Sequence, residues 1–308
     1  MTTLLVTHAA CLDHDPGSFH PESPARLRAV LAALDGPEFA ALERAEAPPA
    51  SVDQIARVHA RAHVERILRA VPATGHVGLD PDTIMSPGSG EAALRAAGAL
   101  VAAVDAVAAG RARNAFCAVR PPGHHAEAAR AMGFCLFNNV AVGAAHARAA
   151  HGLRRIAVVD FDVHHGNGTQ HMFERDAELF YASTHQWPHY PGTGAAAETG
   201  VGNICNVPLA PMAGSREFRA AMSEIVLPAL RDFRPDMLLI SAGFDAHAAD
   251  PLASLRLTEA DFTWATAALA GIAAESCGGR IVSTLEGGYD LPALAASAAA
   301  HVRALMAA

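Results

Sequence analysis

Short runs of consecutive apolar, often β-branched residues alternate along the chain with longer stretches in which apolar residues recur every three or four positions. The short runs are LLVT near residue 5, AFCAV at 115–119, RIAVVDF at 155–161, LFYAST at 179–184, MLLIS at 237–241 and IVSTL at 281–285. Runs so short and so apolar predict strands buried on both faces, as in a parallel sheet. The longer stretches, Glu91–Val107, Val140–Ala150, Glu217–Phe233, Thr258–Glu275 and Leu291–Met306, have the period and length of helices. Their alternation predicts an α/β fold with helices covering both faces of the sheet. The loosest stretches, Glu46–Ser51 and Trp187–Gly202, are too short to separate domains, so one domain over residues 1–308 is expected.

Composition narrows the class. With 308 residues, 51% of them apolar, the chain can bury a large core. Its net charge of −8 is dispersed, which argues against a nucleic-acid partner. No stretch approaches the roughly 20 uninterrupted apolar residues of a membrane span, and the opening MTTLLVTHAACLDHD lacks a basic leader with a cleavable apolar run. A soluble, cytoplasmic protein with no membrane partner is expected. The five cysteines are odd in number and never form a C-x-x-C pair, which predicts buried free thiols in a reducing compartment. Most of the 17 histidines are expected on the surface or in helices, and only local company singles any of them out. Nothing in the sequence sets the oligomeric state.

In an open parallel α/β sheet, ligands bind beyond the carboxyl ends of the strands. Four predicted strand ends carry unusual residues. After RIAVV comes Asp160-Phe161-Asp162-Val163-His164-His165-Gly166-Asn167, and alternation sends Asp160, Asp162 and His164 to one side. A lone Asp or His there would be read as a cap or a loop hydrogen bond; two aspartates and two histidines in six positions favour a metal site. MLLISAG ends in Phe244-Asp245. Asp162, His164 and Asp245 together offer an O,N,O set with a position left open for water, the habit of catalytic zinc. AFCAV runs into Arg120-Pro121-Pro122-Gly123-His124-His125, a stiff turn carrying adjacent imidazoles suited to proton transfer near neutral pH. IVSTL ends in Glu286-Gly287-Gly288-Tyr289, where paired glycines bring backbone close to a ligand and aim a phenol at a developing oxyanion. Each motif alone has an ordinary structural explanation, but a metal set, a base and an oxyanion donor at the ends of one sheet point to an active site.

These motifs, in this order, resemble the histone deacetylase and acetylpolyamine amidohydrolase superfamily over nearly the whole chain: His20-Pro21-Glu22-Ser23-Pro24-Ala25-Arg26-Leu27 as its N-terminal loop, RPPGHH, Gly133-Phe134-Cys135-Leu136-Phe137-Asn138-Asn139, DFDVHHGNG, GFD and EGGY. The resemblance implies the single-domain arginase/deacetylase fold, a central parallel sheet of about eight strands between helices. It implies a zinc or ferrous ion on Asp162, His164 and Asp245, His124 and His125 as the tandem histidines with the second the general base and acid, and Tyr289 as the carbonyl-polarising tyrosine. Asp160 would orient His124. Asn167 stands where the partner of the second histidine lies, Asp in class I and Asn in class II, which puts the chain nearer class II. Phe134 and Tyr190 would wall an acyl-lysine tunnel with Gly133 and Gly288, and Asp82 and Leu252 would lie at its rim. A structural potassium ion would sit by Asp160, Asp162, His164 and the Ser183 hydroxyl.

The activity implied is hydrolysis of acetyl-lysine or a related small N-acyl amine, with the metal lowering the pKa of its water from about 15.7 toward about 7. An acetylpolyamine amidohydrolase keeps the same catalytic residues. The polyamine branch carries Glu seven residues past the last ligand aspartate, where this chain has Leu252, although Glu22 or Asp82 would be alternative acids for a polyamine. An arginase-like dimanganese enzyme needs further carboxylates where His165, Gly166 and Asn167 stand, and a non-catalytic acyl-lysine-binding module would be expected to have lost the tyrosine or a histidine.

Overall fold

A computed structural model of the chain describes residues 2–308. Ten strands run in chain order: β1 (Thr3–Thr7), β2 (Glu43–Glu46), β3 (Val77–Gly78), β4 (Ile84–Met85), β5 (Asn114–Cys117), β6 (Ile156–Asp160), β7 (Leu179–Gln186), β8 (Ile204–Leu209), β9 (Met237–Ala242) and β10 (Ile281–Leu285). Between them lie α1 (Pro24–Leu34), α2 (Val52–Ile55), α3 (Arg61–Arg69), α4 (Ser89–Ala108), α5 (Asn139–His151), α6 (Asn167–Phe173), α7 (Ser215–Ala221), α8 (Leu227–Phe233), α9 (Glu259–Cys277) and α10 (Leu291–Ala307). Eight strands form one parallel sheet in the order β2-β1-β5-β10-β9-β6-β7-β8, and β3 and β4 form a separate antiparallel ribbon.

Burial explains the layering. Every residue of β5, β6, β7, β9 and β10 is buried, so both faces of the sheet need cover. α4, α5 and α6 cover one face, while α1, α10, α9 and α8 cover the other. A smaller apolar cluster around Ile55, Val64, Ile67, Met85 and Phe137 seats α2, α3 and the β3–β4 ribbon against α4. Two helix starts bear on the site. Asn138 caps α5 by accepting the Ala141 N–H at 3.0 Å, and Asp290 caps α10 by accepting that of Ala293 at 2.9 Å, so the chain turns sharply just after Tyr289.

Six of the eight sheet strands match the apolar runs. The other two are edges. β2 is ERAE, exposed at every position, and charged residues protect an edge from pairing with other chains. β8 contains Asn206 and Pro208, and proline is tolerated on an edge strand. The expected helix Glu217–Phe233 is continuous but passes through a π-helical segment, Met222–Val226, in which the Leu227 N–H reaches back to the Met222 carbonyl. The expected N-terminal loop ends early, because Pro24 to Leu27 form the first turn of α1. Four cysteines are buried and Cys205 is half-buried; none is paired. Seven of the 17 histidines keep some exposure and three buried ones, His63, His146 and His301, lie in helices, as expected for most of them; the other seven are buried at loops and strands with hydrogen-bonding or charged company. No helix among the described residues is long and apolar enough to cross a membrane.

Candidate active site

β5, β10, β9 and β6 are consecutive in the sheet, and their carboxyl ends release the four loops singled out above. The loops surround a cavity of about 200 Å³ lined by Asp82, His124, His125, Gly133, Phe134, His164, His189, Tyr190, Leu252, Gly287 and Tyr289, with Pro122.

At its floor, one side-chain atom each from Asp162, His164 and Asp245 lies within 4.8 Å of the others, all three residues being buried. His164 Nδ1 is 3.0 Å from Asp162 Oδ1 and 3.2 Å from Asp245 Oδ2, yet Asp245 Oδ2 has no partner in hydrogen-bonding geometry. Burial pushes the Asp245 carboxyl up, and the Asp162 charge pushes it further. For His164 burial works the other way, but the two carboxylates outweigh it and raise the ring to about 10. Two buried carboxylates sharing one imidazole lack a cation, and their O,N,O donors suit a divalent metal of the zinc type. The glycines confirm how close this cradle is: a Cβ on Gly287 would stand 2.0 Å from Asp245 Oδ2, and one on Gly243 would stand 2.0 Å from Asp162 Oδ2. A second Asp–His cluster, Asp105, His146 and His151, is different in kind. Arg57 donates to His146 Nδ1, and both rings lie within 2.8 Å of Asp105 Oδ1, so that cluster satisfies itself by hydrogen bonds.

The tandem histidines have distinct environments. His124 Nδ1 is 2.9 Å from Asp160 Oδ2, which also accepts the Tyr181 hydroxyl. Burial opposes a charge on His124, but Asp162 and Asp160 prevail and raise it to about 10. His125 Nδ1 is 2.8 Å from Asn167 Oδ1, while the Asn167 amide nitrogen donates to Glu127 Oε1 at 2.9 Å. That second bond sets which end of the amide is oxygen, so His125 must carry its proton on Nδ1 and leave Nε2 as an acceptor. Burial and the neighbouring His124 and His164 rings keep the His125 pKa well below the ordinary value. The two rings are thus pushed in opposite directions, His124 toward its charged form and His125 toward its neutral one. Tyr289 stands across the cavity, its ring under the Arg26 guanidinium at 4.8 Å and edge-on to Phe134 at 6.0 Å. Burial keeps its phenol protonated well above the ordinary range.

Comparison with known proteins accords with this geometry. Residues 20–305 match the family model described as the histone deacetylase domain. The chain belongs to the histone deacetylase family. It is 42% identical to histone deacetylase 14, chloroplastic, of Arabidopsis thaliana over 98% of this chain and 76% of that protein. A histone deacetylase-like amidohydrolase of Pseudomonas aeruginosa is 44% identical over 88% of this chain and 73% of its own length. Among solved structures, the crystal structure of the HDA15 HD domain superposes with a TM-score of 0.93 at 36% identity, covering 99% of this chain and 88% of that one.

In this histone deacetylase family member the rim departs from expectation at two places. Gly288 does not line the cavity; its φ of +122° turns the chain, its carbonyl accepts from Arg26, and a Cβ there would stand 2.8 Å from Leu294 Cδ1. Gly287 lines the wall instead. Glu22 cannot meet a substrate, because it is wholly buried between Arg120, Arg26 and His14. Phe134, Tyr190, Leu252, Asp82 and Gly133 do line the cavity. Phe134 holds a φ of +69°, rare for a bulky side chain, and is braced by the His20 ring at 4.6 Å and by its own N–H on Thr83 Oγ1. Ser183 pairs in register with Asp160, and its hydroxyl is 2.9 Å from His185 Nδ1. Three residues to which the sequence assigned no role also shape the site. His189 stacks on His164 at 5.1 Å, with a buried Nε2 that has no partner. Glu286, raised to about 7 by burial against the pull of His124, accepts the N–H groups of Gly123 and His124. The third is Asp250.

Proposed function

We propose that this chain is a zinc-dependent deacylase, with ferrous iron as the alternative metal, that hydrolyses the amide of acetyl-lysine or a related N-acyl amine. The observation that carries the reading is one cavity bordered by three things: an Asp–His–Asp set with an unpartnered carboxylate oxygen, a neutral imidazole whose free nitrogen is set by Asn167, and a protonated phenol opposite. Zinc held by Asp162, His164 and Asp245 would polarise the amide carbonyl and acidify a water.

The residues do the rest. His125 accepts the proton of the attacking water on Nε2 while its Nδ1–H stays on Asn167, and it then delivers that proton to the leaving amine nitrogen. Tyr289 donates its O–H to the carbonyl oxygen as negative charge develops there. His124, held through Nδ1 on Asp160, stands beside the same centre. Phe134 and Tyr190 confine the acyl stem and exclude water. A structural potassium ion by Asp160 and Ser183 belongs to this reading, supported by their pairing in register. So does a single catalytic domain, supported by one continuous sheet.

Leu252 at the mouth favours an uncharged stem, hence acyl-lysine in a peptide or protein. The second reading, an acetylpolyamine amidohydrolase, is supported by the Asp82 carboxylate at the same mouth. Metal analysis of the purified protein, followed by kcat/KM on an acetyl-lysine peptide and an acetylated polyamine, separates them. A tenfold preference for the polyamine would reverse the order of the two readings, and no hydrolysis of either by the metal-loaded protein would reject both.

A further inference from the structure

The two loops that carry Asp245 and Tyr289 leave neighbouring strands, β9 and β10, and the structure joins them beyond the sheet. The Phe244 N–H donates to the Gly287 carbonyl at 3.0 Å, and the Gly287 N–H donates to Asp162 Oδ2 at 2.8 Å. Further out, a single side chain makes the connection. Asp250 Oδ2 accepts the Tyr289 N–H at 2.7 Å, while Asp250 Oδ1 accepts the Leu252 N–H at 3.0 Å. Asp250 is itself buried, and its own N–H is fixed on the His247 carbonyl at 2.9 Å. Ordinary turn chemistry explains the bond to Leu252, two residues on, as an Asx turn. It does not explain why the other oxygen reaches 39 residues along the chain to the backbone of the phenol.

We propose that Asp250 is a positioning residue for Tyr289, resting on the deacylase reading above: its carboxylate ties the backbone of the oxyanion donor to the backbone of the rim residue Leu252. It touches no substrate and acts through the aim of the phenol. The lever is long. A phenol oxygen stands roughly 6.5 Å from its α-carbon, so a backbone tilt of about 10° moves it by about 1 Å, and a misplacement of that size costs on the order of 10²-fold in turnover. The sheet holds Glu286 and the α10 cap holds Asp290, whereas the Tyr289 N–H between them depends on Asp250. Because the same carboxylate holds Leu252, the position of the rim loop and the reach of the catalytic hydroxyl are set together. Asparagine cannot replace it: with one oxygen and one NH₂ group, it would set donor against donor at one of the two bonds.

The test uses the zinc-loaded full chain and two readouts. Asp250→Ala should lower kcat by about 10- to 100-fold with KM changed less than about threefold, and Asp250→Asn should fall between it and wild type. In a Tyr289→Phe background the same substitutions should cost less than about threefold, because the group they aim is gone. Equal losses in both backgrounds, or a normal kcat for Asp250→Ala, would overturn the assignment. Independently of any activity, amide hydrogen exchange at Tyr289 should speed up at least tenfold in Asp250→Ala or, should the alanine variant fail to fold, at Tyr289 or Leu252 in Asp250→Asn, which keeps only one of the two bonds. Unchanged exchange there would also overturn it. A wild type that hydrolyses no N-acyl amine would instead remove the deacylase reading, and the exchange result would still decide whether Asp250 holds this backbone.

Discussion

Replacing Glu22 with glutamine takes one negative charge from a place where two guanidinium groups depend on it. Glu22, Arg26 and Arg120 have no exposed side-chain surface. Glu22 meets Arg120 through both oxygens, Arg26 at 2.9 Å and the His14 ring at 3.3 Å. Glutamine keeps the volume but offers one acceptor and a donor, so one Arg120 bond becomes donor against donor and both cations lose their counter-charge. Breaking a buried pair from one side costs about 3–5 kcal/mol, and with two cations sharing one anion the loss should lie in the upper half of that range. At roughly 2–3 °C per kcal/mol for a chain of this length, Tm should fall by about 8–15 °C. The acid limb carries a second signature. Burial resists the Glu22 charge, but Arg120, His14 and Arg26 outweigh it and hold the carboxyl well below the ordinary 4.5. A depressed folded pKa gives stability that is complete above about 4.5 and drains away as pH falls toward the folded value. The gap between wild type and Glu22→Gln, measured by urea denaturation, should therefore be widest near pH 7 and narrow below pH 4.5. A variant within about 1 kcal/mol of wild type at pH 7, or a gap that does not close in acid, would refute the account.

Four further outcomes are expected. Tyr289→Phe keeps the ring between Arg26 and Phe134, so metal content and Tm should hold while kcat falls about 10²–10³-fold; near-normal turnover would show that another donor serves. Asp245→Ala should lose both metal and activity, and full occupancy by metal analysis after dialysis would strike Asp245 from the ligand set. His125→Ala should reduce kcat more than His124→Ala and alter the pH–rate profile, since the free Nε2 belongs to His125; a wild-type profile in His125→Ala would contradict its role in proton transfer. Leu252→Glu should move kcat/KM toward acetylated polyamines by about tenfold or more, the equivalent of a charge-assisted hydrogen bond of about 1.5–3 kcal/mol, and an unchanged ratio would mean that position 252 does not meet the stem.

Residues were legible in the sequence where local pattern and chemistry coincide. The six interior strands declared themselves by continuous apolar runs, and the four loops after them by dense groups of Asp, His and Gly. The edge strands did not, because β2 is held by pairing to β1 and shows no apolar face of its own. Glu22 was readable as a motif member but not as the buried anion of an ion cluster, since its partner Arg120 is 98 residues away. Gly288 and Gly287 are interchangeable on paper; which one lines the wall depends on the turn taken after Leu285. Asp250 carries no signal of its own in the sequence, and only the fold brings the Tyr289 backbone to its second oxygen.

The place of β10 has a consequence for how the molecule comes into being. This strand is the last of the chain, yet it lies between β5 and β9 and pairs with both. As the chain leaves a ribosome, β1, β2 and β5 can gather on one side and β6, β7, β8 and β9 on the other, each group ending in a row of open backbone donors and acceptors. The tandem histidines hang from the first group and the Asp–His–Asp set from the second. Neither group alone can work on an amide, and the seam between them is an adhesive edge for any other extended chain. Hydrolytic competence and protection from aggregation therefore arrive in the same event, when Ile281–Leu285 threads the gap. Cutting away residues 281–308 would remove the one strand that pairs with both half-sheets and leave mainly the packing of α4 on α5 to join them.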